Sequence, residues 1–248
     1  MISTVLLYGF LSGVALVVGA IMGIYLQMPK KLVAAIMAFG SGVLISSLSI
    51  DLMTDAFETS GNILYISLGF IVGALIFVLG DYVVDSMGAD NRKKAALTSD
   101  AAENSSGTAI FLGTLLDGIP ESLVMGAALA SGSSAGFVFV IAVFLSNLPE
   151  GISGTIAMRN SGFSTLKILM LWFGLLLLTM LFTVIGFYFL GNSSVHFNAI
   201  AMAFASGAIL AMLSDCMLPE AYKEGGIFTG ILVAFGFLTA FVLTNYMN

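Results

Sequence analysis

The chain has 248 residues, 59% of them apolar and only 9% charged, and counting glycine with the apolar residues brings the total to about 70%. Soluble domains sit near 45–50% by that count, with about a quarter charged, so a mean hydropathy of +1.08 excludes a soluble globule and points to an integral membrane protein. One cysteine (Cys216) and one histidine (His196) exclude a disulfide framework, a cysteine-based zinc or iron–sulfur site and a histidine-pair motif, and a net charge of −6 without a basic patch speaks against nucleic acid as a partner.

Apolar stretches of about 18 residues or more predict membrane helices. Eight such stretches run over 3–26, 32–56, 62–86, 107–130, 135–158, 166–190, 198–222 and 226–246. The expected fold is an all-α integral membrane protein forming one transmembrane domain over 1–248. Residues 1–86 carry helices 1–3, 87–106 form a polar loop, and 107–248 carry helices 4–8. A β-barrel would need shorter, alternating segments. The first helix is not expected to be a cleaved signal peptide, because no Lys or Arg precedes Lys30 and the apolar run is too long for a signal core.

The basic residues sort with this helix count. Lys30 and Lys31 fall between helices 1 and 2, and Arg92, Lys93 and Lys94 between 3 and 4. Arg159 and Lys167 flank the turn between 5 and 6, and Lys223 lies between 7 and 8. All eight therefore fall on one side, which the positive-inside rule assigns to the cytoplasm. Both termini are then extracytoplasmic, and the expected location is the cell's inner membrane, spanned many times. The loop over 87–106 becomes cytoplasmic.

The sequence also repeats. AFGSGVLISSLSIDLMTDA (38–56) aligns without gaps to AFASGAILAMLSDCMLPEA (203–221), with seven of nineteen positions identical. The first copy lies on helix 2 and the second on helix 7, which cross in opposite senses. This predicts an inverted repeat of helices 1–3 and 6–8 around helices 4 and 5, an arrangement common in secondary transporters.

Three of the four prolines precede glutamate, as Pro120–Glu121, Pro149–Glu150 and Pro219–Glu220. The first two sit mid-helix. A helical proline removes one hydrogen bond and displaces the carbonyl four residues earlier, here those of Leu116 and Leu145. In lipid such a break survives only against protein or a wet cavity. Asp117 lies one turn before Glu121 on helix 4, and Ser146 and Asn147 lie one turn before Glu150 on helix 5, so each set shares a face. A carboxylate at mid-membrane costs about 2.5–3.5 kcal/mol on insertion scales. No Lys or Arg sits in the middle of a predicted helix, Lys167 being at the first turn of helix 6, which leaves protons or a bound cation as compensation. Oxygen ligands on two kinked helices suit a divalent metal; the plainer alternative is protonated carboxyls bonded across helices 4 and 5.

Asp51 and Asp215, on helices 2 and 7, are candidates to line a path to this site. Asp55, Asp81, Asp85 and Glu220 lie near helix ends and are expected to be solvated. His196 reads as a surface residue, and the fourteen methionines as lipid-facing or core filler.

These residues resemble the ZIP family of divalent metal transporters, particularly its bacterial branch. That family has eight helices, both termini outside, and motifs of the type HNxPEG on helix 4 and HExPEG on helix 5. Here the motifs read DGIPES (117–122) and SNLPEG (146–151). The helix 2 and helix 7 copies resemble the family's AFAAGVML…DLLPEA pattern, so the resemblance covers nearly the whole chain. The departures are specific. Asp117 and Ser146 replace both histidines, Gly118 replaces the asparagine, and Asn147 replaces an acid. Thr179 stands where many members carry a helix 6 glutamate. The resemblance implies Glu121 and Glu150 as metal ligands, with Asp117 and Asn147, and also Ser146, as an oxygen-only complement. Gly118 and Thr179 cannot replace carboxylates, which puts a second metal site in doubt.

The expected function is transport of divalent cations into the cytoplasm by alternating access, with zinc the first candidate and manganese and iron(II) next. The metal is substrate; no cofactor is expected and the chain is not read as an enzyme. The expected partners are the cation and the bilayer, with a homodimer left open. Two alternatives stand beside this one: a proton-coupled transporter of a small organic substrate, and a non-transporting relative.

Overall fold

A computed structural model of the chain describes residues 2–26, 28–84, 86, 107–131, 135–190 and 192–247, and among these it is helical without a strand. Among the described residues, eight helices are long and apolar enough to cross a membrane. They are α1 (Ile2–Tyr25), α2 (Lys30–Ser60), α3 (Ile63–Val84), α4 (Gly107–Ser131), α5 (Ala135–Asn160), α6 (Thr165–Leu190), α7 (Val195–Gly225) and α8 (Phe228–Met247). The protein is thus an all-α, eight-span membrane protein. The loop over 87–106, with Arg92, Lys93 and Lys94, lies outside the described residues, as does Asp85.

Two helices outrun the sequence expectation. Both α2 and α7 reach 31 residues, because each continues past its apolar stretch as a short polar helix, Met53–Ser60 and Leu218–Gly225. Each stops at a glycine with positive φ, 63° at Gly61 and 58° at Gly226, a conformation that favours glycine and ends helices. Each also carries one wide π-helical turn, Ser47–Leu52 in α2 and Leu213–Met217 in α7. Ser41 Oγ donates to the Met37 carbonyl at 2.8 Å, and its repeat partner Ser206 donates to the Met202 carbonyl at 2.8 Å. The sequence repeat is therefore also a repeat of local structure.

It is a repeat of packing as well. In lipid there is no water to drive apolar helices together, so close backbone approach carries association. A Cβ on Gly42 of α2 would strike the Val233 carbonyl of α8, and one on Gly236 of α8 would strike the Phe39 carbonyl of α2. The second copy does the same: Gly207 of α7 abuts the Phe70 carbonyl of α3, and Gly73 of α3 abuts the Phe204 carbonyl of α7. The same reciprocity joins α1 to α5 (Gly19 at Leu148, Gly151 at Leu16) and α4 to α6 (Gly126 at Thr183, Gly186 at Leu123). Each of these eight glycines lets a neighbouring backbone come closer than any side chain would allow.

Two four-helix units result. One holds α1, α4, α5 and α6, further tied by Trp172 Nε1 donating to Thr155 Oγ1 at 2.8 Å. The other holds α2, α3, α7 and α8, where Thr229 Oγ1 donates to the Ala221 carbonyl at 3.2 Å. The units meet mainly where α2 crosses α5 and α7 crosses α4. The outer faces of α3 and α8 are exposed leucine, isoleucine and phenylalanine, among them Leu68, Leu75, Phe235 and Phe241, as a lipid-facing surface requires. The described basic residues share one end, where Arg159 Nη1 donates to the Ile24 carbonyl at 2.9 Å.

Candidate metal centre

The site grows out of α4 and α5. Pro120 and Pro149 both lie inside continuous helices, so the carbonyls they displace, those of Leu116 and Leu145, are lost to the helical ladder. The Leu145 carbonyl faces the unit seam, 3.0 Å from the position a Cβ on Gly40 of α2 would take. Glycine at residue 40 is what lets α2 lie against the broken turn of α5.

The polar residues of the two motifs are buried. Asp117 is 6% exposed and Glu121 3%, and Ser146 and Asn147 are equally buried, while Glu150 is half-buried. Asn147 Nδ2 donates to the Ser12 carbonyl of α1 at 3.1 Å, which ties α5 to α1 and fixes the amide with its oxygen turned the other way. Ser146 Oγ donates to the Val143 carbonyl at 3.0 Å, within its own helix.

At the seam lies a cavity of about 40 Å³, room for a few waters. Thr114 and Asp117 of α4 form one wall, Glu150, Ser153 and Gly154 of α5 a second, and Met37 of α2 with Met212, Cys216, Met217 and Glu220 of α7 the rest. A second cavity of about 30 Å³ shares Met37, Ser153 and Glu220 with the first and reaches Met28, Lys30 and Glu224 at the lysine-bearing end. Of the five residues expected at the site, the cavity brings together Asp117 and Glu150. Glu121, Ser146 and Asn147 are buried beside it and do not line it. Among the described residues, no three His, Cys, Asp or Glu side chains converge closely enough to cage a metal ion.

Asp215 is exposed and does not line the cavity, and Asp51 belongs to the π-helical turn Ser47–Leu52 of α2. Glu220, expected to be solvated at a helix end, is half-buried and lines both cavities, because α7 packs that end against the seam. Asp81, likewise expected to be solvated, is buried, and Asp55 is half-buried. His196 is exposed, as expected. Reading from the motifs alone missed Met37, Thr114, Cys216 and Met217. Thr114 could have been found, since it lies one turn before Gly118 and three residues before Asp117 on the same face. Thr179 is buried and its carbonyl accepts from Thr183 Oγ1 at 2.8 Å. Gly118 has open space, with nothing within 4 Å of a Cβ placed there.

No family model matches the chain. A curated protein of Arabidopsis thaliana named "Putative zinc transporter" is 22% identical over 227 residues, covering 90% of this chain and 35% of that protein. The chain thus spans about a third of the length of the curated relative it matches.

Proposed function

We propose that the chain transports divalent metal cations across a membrane through a site on α4 and α5. The observation that carries this reading is the cavity at the seam between the two units, where Asp117 and Glu150, one from each proline-broken helix, face the same small space. Two acidic side chains with Thr114 and Ser153 beside them form a hard-oxygen environment suited to a dehydrating cation. The printed name of the plant relative agrees with that substrate class.

In this reading Asp117 and Glu150 hold the ion as the cavity now stands. Glu121, one turn along α4, and the oxygens of Asn147 and Ser146 join them when the α1–α4–α5–α6 unit shifts against the α2–α3–α7–α8 unit. The reciprocal glycine contacts keep each unit rigid while the seam moves. The cavity that reaches Lys30 and Glu224 is then the passage to the cytoplasmic side, and both termini lie on the other side. The cation gradient or the membrane potential drives the ion inward, and the protein acts as a transporter rather than an enzyme.

The test is uptake of zinc and manganese by proteoliposomes carrying the full chain. Glu121→Gln and Glu150→Gln each remove a negative charge and keep the shape, so both are expected to insert normally and to bring uptake down to that of empty vesicles. Undiminished uptake in both variants contradicts the assignment.

A further inference from the structure

Resting on the metal-transport reading above, we infer that the wall of the seam cavity opposite Asp117 and Glu150 is a sulfur-bearing ligand surface, which makes the cavity a mixed oxygen–sulfur site for thiophilic and borderline cations. Met37 of α2 and Met212, Cys216 and Met217 of α7 all line this cavity, and all four are less than one-tenth exposed. The π-helical turn Leu213–Met217 explains how three of them come together. In an α-helix Cys216 falls over Met212 and Met217 lies well round the helix. A π-turn bonds i to i+5 and so swings residue i+5 toward residue i, bringing Met217 onto the face of Met212 and Cys216. Met37, Met212 and Met217 belong to the buried apolar core, as expected of filler, and also face this cavity, so in this inference sulfur joins the oxygen-only ligand set that the motifs alone suggest.

The chemistry follows from ligand softness. Carboxylate and amide oxygens suit manganese and magnesium, whereas thiolate and thioether select softer ions such as zinc, cadmium and copper(I). An ion between the two walls meets Asp117 and Glu150 on one side and Cys216 with the methionines and Glu220 on the other. Among the described residues no three acidic or thiol groups converge into a cage; in this inference the ion is shared across the seam and is released when the seam opens. Binding at Cys216 requires the thiolate, so its proton leaves to water as the metal binds.

Because Cys216 is the chain's sole cysteine, a cadmium–thiolate ultraviolet charge-transfer band in the purified full-length protein reports this residue alone. The expected result is a saturable band in the unmodified protein that is absent from Cys216→Ser. Met212→Leu combined with Met217→Leu preserves volume, and Asp117→Asn preserves shape. Each is expected to raise the half-saturating cadmium concentration about tenfold, the low end of what losing a supporting group costs a metal site. In proteoliposomes, Cys216→Ser is expected to lower the cadmium-to-manganese uptake ratio about tenfold. Absence of the band in the unmodified protein overturns the inference. So does a band whose half-saturation is unmoved by both sets of substitutions, since that is a lone thiol rather than a site. A band that responds as expected in a protein that carries no cation into vesicles supports the sulfur wall and contradicts transport instead.

Discussion

Asp117 and Ser146 occupy equivalent places in the two motifs, yet their surroundings differ. Asp117 faces the cavity, while Ser146 is buried beside it with its hydroxyl turned to the Val143 carbonyl. Imidazole favours zinc over harder ions, so Asp117→His is expected to raise the zinc-to-manganese uptake ratio. Ser146→His puts a ring into a packed helix crossing and is expected to lower stability, by about 1–3 kcal/mol, more than it alters selectivity. Competitive uptake together with thermal unfolding in detergent separates the two effects. Equal gains in zinc preference from both substitutions would contradict this placement. Much at this scale was legible in the sequence: proline before glutamate, twice and mid-helix, marks carboxylates that must meet something polar. What was not legible is which face each residue presents. Glu220 reads as a solvated helix end although it lines both cavities, and α-helical spacing does not predict the register of the π-turn that carries Cys216 and Met217.

At the scale of the element, the glycines distinguish packing from mere composition. Gly207 and Gly42 each meet a carbonyl across a helix pair, whereas Gly118 meets nothing. Alanine at Gly207 or Gly42 must push two backbones apart and is expected to destabilise by about 1–3 kcal/mol. At Gly118 the same change restores helix propensity with no clash and is expected to stabilise by about 0.5–1 kcal/mol. Apparent melting temperatures in one detergent decide the matter, and a loss at Gly118 as large as that at Gly207 would contradict the packing described. The eight helices and the repeat of α2 and α7 can be read from hydropathy and self-alignment, because length and apolar content are strong signals for membrane spans. The reciprocal contacts α2–α8 and α3–α7 cannot, since partner choice among lipid-soluble helices depends on where small residues fall on two surfaces at once.

For the whole molecule, alternation of eight spans places every described basic residue at one end, and the lysine-bearing cavity opens there. If that end is cytoplasmic, a cysteine introduced at Ser105 is reached by membrane-impermeant reagent only from inside, and one at Ser194, in the turn before α7, only from outside. Native Cys216 is buried and contributes little background. Labelling of both from the same side contradicts the topology and the inverted repeat together. The central claim, that acidic residues of α4 and α5 carry a metal ion through the seam, is tested most directly by crystals of the full chain soaked with zinc or manganese and measured at the metal's absorption edge. The account predicts an anomalous peak between α4 and α5, about 2.0–2.3 Å from carboxylate oxygens of Asp117, Glu121 or Glu150. A peak confined to the protein surface, or none between these helices at saturating metal, would contradict it.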